Sequence, residues 1–160
     1  MRMERDSAQP GRRLPRPGPA RWRHAEGARS LSRRLCRGAL LPGSWCPYCN
    51  AQLRAFQRAL PELTAAGIRV AALCVDDETT TTALIAKHGL TFAIGYGVDA
   101  GLVSEATGAF VNGERGYLQS TGFVLDPSGR VLVSVYSSGA IGRLVPDDVL
   151  GMVRYVRAHA

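Results

Sequence analysis

Apolar positions recur along this chain in two periods, and the places where the period changes mark its elements. Cys49, Leu53, Phe56, Leu60 and Leu63 fall at three- and four-residue intervals, which predicts a helix with one buried face. Pro47 suits its first turn, where a missing amide proton is no loss. Pro61 is expected to kink this helix or end it early, and Gly67 to close it. Ile68 to Val75 is a nearly continuous apolar run broken only by Arg69, the pattern of a strand covered on both faces. Asp76 or Asp77 is placed to cap a second helix, with Leu84, Ile85 and His88 on one side and Gly89 at its end. Thr91 to Val98 reads as a further strand and Leu102 to Ala106 as a short helix, with 107–118 as loop.

The last third alternates more tightly. Thr121 to Leu125 and Val131 to Tyr136 read as two strands joined by Asp126-Pro127-Ser128-Gly129, where proline second and glycine fourth suit a type I turn. Pro146, Asp147 and Asp148 open a final helix whose inner stripe is Val149, Met152, Val153 and Val156. Upstream, Leu35 to Leu41 is a short apolar segment that predicts a weak strand, beside the Ile68 to Val75 strand. Everything before it lacks either period. Pro10, Pro15, Pro17 and Pro19 exclude a regular helix there. Residues 1–37 are therefore expected to form a disordered basic leader and residues 38–160 a single redox domain. The leader's composition is that of a transit peptide, a nucleic-acid-binding arm or a misassigned start.

Composition changes this picture in two ways. The chain has 160 residues, 46% of them hydrophobic, enough for one sizeable core, and no run of apolar residues long enough to span a membrane. The net charge of +7 is lopsided: residues 1–40 hold eleven arginines and three acids, a balance of +8, and the remainder sits at −1. The basic character belongs to the leader, so the body offers no basic groove to nucleic acid. Four cysteines (Cys36, Cys46, Cys49 and Cys74) are too few and too clustered for a disulfide-stapled scaffold, and point to thiol chemistry in a reducing, cytoplasmic setting.

The candidate chemistry lies in Trp45-Cys46-Pro47-Tyr48-Cys49. A thiol attacks as its thiolate, and a helix N-terminus favours the anion through unpaired amides and the positive end of the helix dipole. Cys46 sits at that point, and Cys49 lies about one turn along the same face. Attack by Cys46 gives a mixed disulfide or a sulfenic acid, which Cys49 can resolve as an intramolecular disulfide. Cys46 is accordingly expected to be the more exposed and more acidic thiol. Trp45 and Tyr48 would form an apolar rim around the attacking sulfur. The mechanism requires no cofactor and no base, and His24, His88 and His159 have no tie to the motif. Two core cysteines or a metal-binding pair are the alternatives. A closed zinc site needs four ligands, and no second pair is present at suitable spacing. Cys74, in a buried strand, reads as a core residue.

The order strand, helix, strand, helix, insertion, two strands, helix is the thioredoxin plan: an α/β three-layer fold with a mixed sheet and helices on both faces. Gly43-Ser44-Trp45-Cys46-Pro47-Tyr48-Cys49-Asn50-Ala51-Gln52-Leu53 resembles the active-site segment of peroxiredoxin-like proteins of the alkyl hydroperoxide reductase/thiol-specific antioxidant group. Ser120 through Pro127 with Gly129-Arg130, and Val135 through Leu144, are similar to later segments of that group. The resemblance covers roughly Leu41 to Ala160. It implies thiol-dependent reduction of peroxides or disulfides, with electrons from a cellular thiol system such as thioredoxin or glutathione. It also implies substrate-binding positions at Ser120 and Thr121, on the strand opposite the dithiol. Gly43 stands where the group has a threonine, and Ser120 stands where peroxiredoxins tend to place arginine and thioredoxins a cis-proline. No proline lies between Pro61 and Pro127, so no cis-proline is expected to face the dithiol. Two further readings stay open: a thioredoxin-like disulfide reductase without significant peroxidase activity, and a non-catalytic module that binds nucleic acid through its leader.

Overall fold

A computed structural model describes the backbone of residues 21–23 and 35–41, and residues 43–159 with their side chains. In chain order its strands are β1 (Arg21–Arg23), β2 (Leu35–Leu41), β3 (Ile68–Cys74), β4 (Ala93–Tyr96), β5 (Val111–Asn112), β6 (Tyr117–Leu118), β7 (Thr121–Leu125) and β8 (Val131–Tyr136). Its helices are α1 (Pro47–Ala65), α2 (Glu78–His88), α3 (Ala100–Thr107) and α4 (Pro146–Ala158). One sheet runs in the order β1-β4-β3-β2-β7-β8, with β5 and β6 forming a separate hairpin. β2 pairs parallel with β3 and antiparallel with β7, so the sheet is mixed.

Alternation along β3 sorts the molecule into three layers. Ile68, Val70, Ala72 and Cys74 face one side, where Leu53, Phe56 and Leu63 of α1, Leu84 and Ile85 of α2, and Val149, Leu150 and Val153 of α4 cover them. Leu73 and Val75 face the other side, with Phe123 of β7, Val131 of β8, Ala100 and Val103 of α3 and Leu118 of β6. Two apolar layers on a parallel centre are what a continuous apolar strand requires. The expected α/β thioredoxin-like fold, mixed sheet with helices on both faces, is the one observed.

Several elements differ from expectation, each for a local reason. α1 does not end early at Pro61 but continues to Ala65, with Phe56 and Leu63, both buried, holding the helix to the core on either side of the proline. β4 is shorter than Thr91 to Val98: the Thr91 amide bonds the Gln57 side chain at 2.8 Å, and the Gly97 amide turns away to the Asp76 carbonyl at 2.7 Å. The stretch 107–118 is not all loop, since β5 and β6 pair around a turn closed by Asn112 and by Gly116 at φ 66°. In α4 the fourth inner position is Leu150, not Val156, which is exposed. β2 is the Leu35–Leu41 strand beside β3, as expected, and it begins upstream of the 37/38 boundary. β1 also lies within the leader, antiparallel to β4; a sheet edge offers backbone donors and acceptors that three residues can satisfy without an apolar face. The remainder of the leader, 1–20 and 24–34, lies outside the described residues.

Candidate active site

The site is built where β2 and β3 end and α1 begins. The Cys46 amide bonds the Gly43 carbonyl at 3.2 Å, and the Cys46 carbonyl accepts the first helical bond from Asn50 at 3.1 Å. The turn is locked twice more. Asp76, just past β3, accepts the Ser44 amide at 2.6 Å, and the Asn50 side-chain amide donates to the Ser44 carbonyl at 2.9 Å. Gly43 has a steric reason to be glycine: a Cβ there would lie 2.6 Å from the Trp45 indole nitrogen and 3.2 Å from Asp76 Oδ1, at a φ of 156°. A threonine, which the resembling group places here, would have to displace the Trp45 ring.

Both sulfurs are buried, Cys46 2% exposed and Cys49 0%, so the expected difference in exposure is small. The difference in acidity is large. Burial alone would raise the Cys46 thiol. The hydrogen bond from the Cys49 side chain, the Cys49 and Tyr48 amides and the charge of Arg143 outweigh it and hold Cys46 below the ordinary thiol value. Cys49 is pushed up to about 12, first by burial and then by donating its proton toward Cys46, with Arg143 acting in the opposite direction. The pair is thus polarised: the more acidic thiol sits at the helix N-terminus, and a much less acidic one lies one turn along and donates to it. Cys74 is a core thiol as expected, bonded to the Thr81 hydroxyl at 3.4 Å and the Gly95 carbonyl at 3.5 Å, and its acidity is lowered by burial.

Arg143 is the residue that the sequence did not single out. Its Nη1 donates to the Cys49 sulfur and to Gln52 Oε1, both at 3.3 Å, and its Nη2 donates to the Ala140 carbonyl at 2.6 Å. Gln52 is buried and anchored in turn, its Nε2 donating to the Leu144 carbonyl at 2.9 Å. The loop that carries Arg143 is folded by Ser137, whose hydroxyl lies against the carbonyls of Gly139 and Ile141. The only sequence signal was the segment Val135 through Leu144, matched as a whole; nothing in spacing ties an arginine 94 residues away to Cys49.

Ser120 and Thr121 are both buried. The Thr121 hydroxyl donates to the Gln119 carbonyl, and the Ser120 carbonyl accepts the Ser137 amide at 2.9 Å. The register places Thr121 beside Leu40, at the end of β2 from which the active-site turn departs. Their observed bonds therefore brace the Arg143 loop and the start of β7. Trp45 and Tyr48, on either side of the Cys46-Pro47 step, are 56% and 49% exposed. Trp45 meets Tyr117 of β6 edge to face, with ring centroids 5.0 Å apart, so the hairpin missed in the sequence packs against the start of the active-site turn. Among the described residues there is no cis peptide bond and no cluster of metal-ligating side chains. No helix among them is long and apolar enough to cross a membrane.

The profile of the AhpC/TSA family matches residues 39–134. No curated protein matches the chain. Among solved structures, the AhpC of Mycobacterium bovis superposes with a TM-score of 0.75 at 16% identity, covering 96% of this chain and 95% of that one. A cysteine-to-serine mutant of PrxQ from Xylella fastidiosa gives 0.72 at 16% identity, covering 95% and 97%. The AhpC of Mycobacterium tuberculosis gives 0.64 at 20% identity, covering 78% and 73%.

Proposed function

The chain belongs to the AhpC/TSA family, and on that premise we propose that it reduces peroxides or disulfides through a dithiol, with Cys46 as nucleophile and Cys49 as resolving thiol. Membership carries the general thiol oxidoreductase chemistry of peroxiredoxins; the division of labour within the pair is our reading. The observation that supports it is the polarised pair itself, with Cys46 below and Cys49 well above the ordinary thiol value at one helix N-terminus. Cys46 attacks an O–O or S–S bond. Cys49 then expels water or a thiol and closes the disulfide. A cellular thiol system, of the thioredoxin or glutathione type, returns the two electrons in the cytoplasm.

Site-resolved alkylation tests the assignment. Limiting iodoacetamide should label Cys46 first, with a pH midpoint below 9, the ordinary thiol value, while Cys49 stays unlabelled until strongly alkaline pH. Preferential labelling of Cys49 would reverse the roles. One equivalent of hydroperoxide should remove two mass units, mapped to Cys46 and Cys49. The second reading, disulfide reduction without peroxidase turnover, is favoured by Gly43 and by the buried Ser120, which stand at the positions where the resembling group has a threonine and an arginine for the O–O bond. Hydroperoxide consumption measured beside reduction of a protein disulfide separates the two.

A further inference from the structure

Cys49 is the part of this reaction that needs explaining. A resolving thiol attacks as its thiolate. At about 12, Cys49 would be ionised in roughly one molecule in a hundred thousand at neutral pH. Burial is the first cause of that value, and two of the remaining causes belong to Cys46: the hydrogen bond that Cys49 donates to it, and the negative charge that Cys49 faces. Both disappear once Cys46 becomes a sulfenic acid or a mixed disulfide, because its sulfur then carries no charge. Arg143 does not disappear. Its Nη1 remains at the Cys49 sulfur, fixed by Gln52 and by the Ala140 carbonyl. Gln52 lies one turn beyond Cys49 on the same helix, so the guanidinium and the sulfur are referenced to one rigid element.

The surroundings point the same way. Arg143 Nε is buried with no hydrogen-bond partner, and a buried donor left unmet is costly. A cation beside a helix N-terminus is also disfavoured by the helix dipole. The charged groups acting on Cys49 are Cys46 and Arg143. Those on neighbouring elements are engaged elsewhere: Arg154 of α4 with Glu62 near the far end of α1, and Asp76 with the Ser44 amide.

Resting on the dithiol reading above, we propose that Arg143, held in place at the Cys49 sulfur, favours negative charge on Cys46 in the first half-reaction and on Cys49 in the second, so that the resolving thiolate forms only after Cys46 has been oxidised. In the first half-reaction the Cys46 thiolate attacks a peroxide oxygen and the O–O bond breaks. The alkoxide leaves and takes a proton from solvent, and Cys46 is a sulfenic acid, oxidised by two electrons. In the second, Cys49 gives its proton to solvent and its sulfur attacks the Cys46 sulfur. An S–S bond forms, the S–O bond breaks, and hydroxide leaves as water. With a disulfide substrate the two leaving groups are its two thiolates. One immobile guanidinium serves both steps, first through the donor it supports and then through the nucleophile it creates.

The test measures Cys49 ionisation directly, by site-resolved alkylation across pH in the full chain. In Cys46→Ser, which removes the facing charge, the Cys49 midpoint should fall by about one unit or more, a tenfold gain in thiolate. Adding Arg143→Gln should raise it again by about one unit, and Arg143→Lys, which keeps the charge, should restore most of the fall. A role in packing alone would change stability in all three proteins without moving this midpoint. Equal midpoints in Cys46→Ser with and without Arg143→Gln overturn the inference. If the neutral variant does not fold, Cys46→Ser still decides: a Cys49 midpoint that stays near 12 overturns it. The dithiol reading is judged separately, by whether the wild-type chain forms the Cys46–Cys49 disulfide under hydroperoxide or a small-molecule disulfide.

Discussion

α1 and α2 follow adjacent parallel strands and point their N-termini at the same end of the sheet, yet they begin in opposite ways. α2 has a full set of local stabilisers: Asp77 accepts the Thr80 amide at 2.7 Å, Glu78 sits in the first turn, Lys87 and His88 in the last, and Gly89 closes it in the left-handed region. α1 shares only the last of these, with Gly67 in the left-handed region just past its end. Its N-cap is Cys46, with no side-chain cap bond, no acid in the first turn and no base in the last. It is held by its buried face instead, through Leu53, Phe56 and Leu63. A capping oxygen would satisfy the terminal amides permanently and leave nothing for a reacting sulfur. The uncapped helix keeps its positive end available for charge on Cys46, and packing offsets what local stability it forgoes.

Replacing the cap residue at α1 should produce the largest effect and show the two helices to be different in kind. Cys46→Ser should reduce hydroperoxide consumption and disulfide reduction to background, because the attacking atom is gone. Serine is a preferred N-cap, so stability should hold or rise by about 0.5–1 kcal/mol. Denaturant titration read beside activity checks both. A loss of stability comparable to the loss of a buried core residue would mean that the sulfur is structural and the comparison false. Cys49→Ser should behave differently again, leaving a mixed disulfide on Cys46 that can be trapped.

The residue that links the two helices comes next. Asp76 and Asp77 are adjacent, but Asp77 caps α2 while Asp76 holds the Ser44 amide ahead of α1. Asp76→Ala removes a charge-assisted bond in a half-buried turn, worth about 1.5–3 kcal/mol, and it also frees the loop that positions Cys46. Both stability and the alkylation rate of Cys46 should fall. Asp76→Asn keeps an acceptor oxygen and should lose less of each. Unchanged Cys46 reactivity in Asp76→Ala would place the loop's rigidity outside the chemistry.

How far the sequence alone leads is clear from the same two helices. The period of Cys49, Leu53, Phe56 and Leu63 was enough to define α1 and its inner face, because burial on one side of a helix leaves a regular trace. The β7–β8 turn was equally legible, since Asp126, Pro127 and Gly129 each answer a specific backbone demand. The dithiol was legible because its two members are neighbours. Arg143 was not, because its tie to Cys49 exists only after the six strands between them have folded. The β5–β6 hairpin also escaped, having two residues per strand and no room for an alternation to show. Asp76 was visible as a polar residue after a strand, but the choice between it and Asp77 as the cap depends on where the Ser44 amide lies in space.

The smallest expected effect is the one that isolates the comparison. Asp77→Ala deletes the cap of α2 and leaves every contact of the dithiol in place. It should lower the thermal midpoint slightly, as the loss of an exposed N-cap does. The pH profile of Cys46 alkylation should not move, because Asp77 is not among the groups that act on either active-site sulfur. The proximity of Asp77 to Asp76 makes this a demanding control: a loosened α2 start could pull on the Ser44 bond and slow Cys46 indirectly. If the rate falls in Asp77→Ala while the profile's midpoint stays fixed, the two helix starts are mechanically coupled through the Asp76 turn. If the midpoint itself shifts, the α2 cap contributes to the thiolate's environment and the separation of a stability helix from a chemistry helix fails.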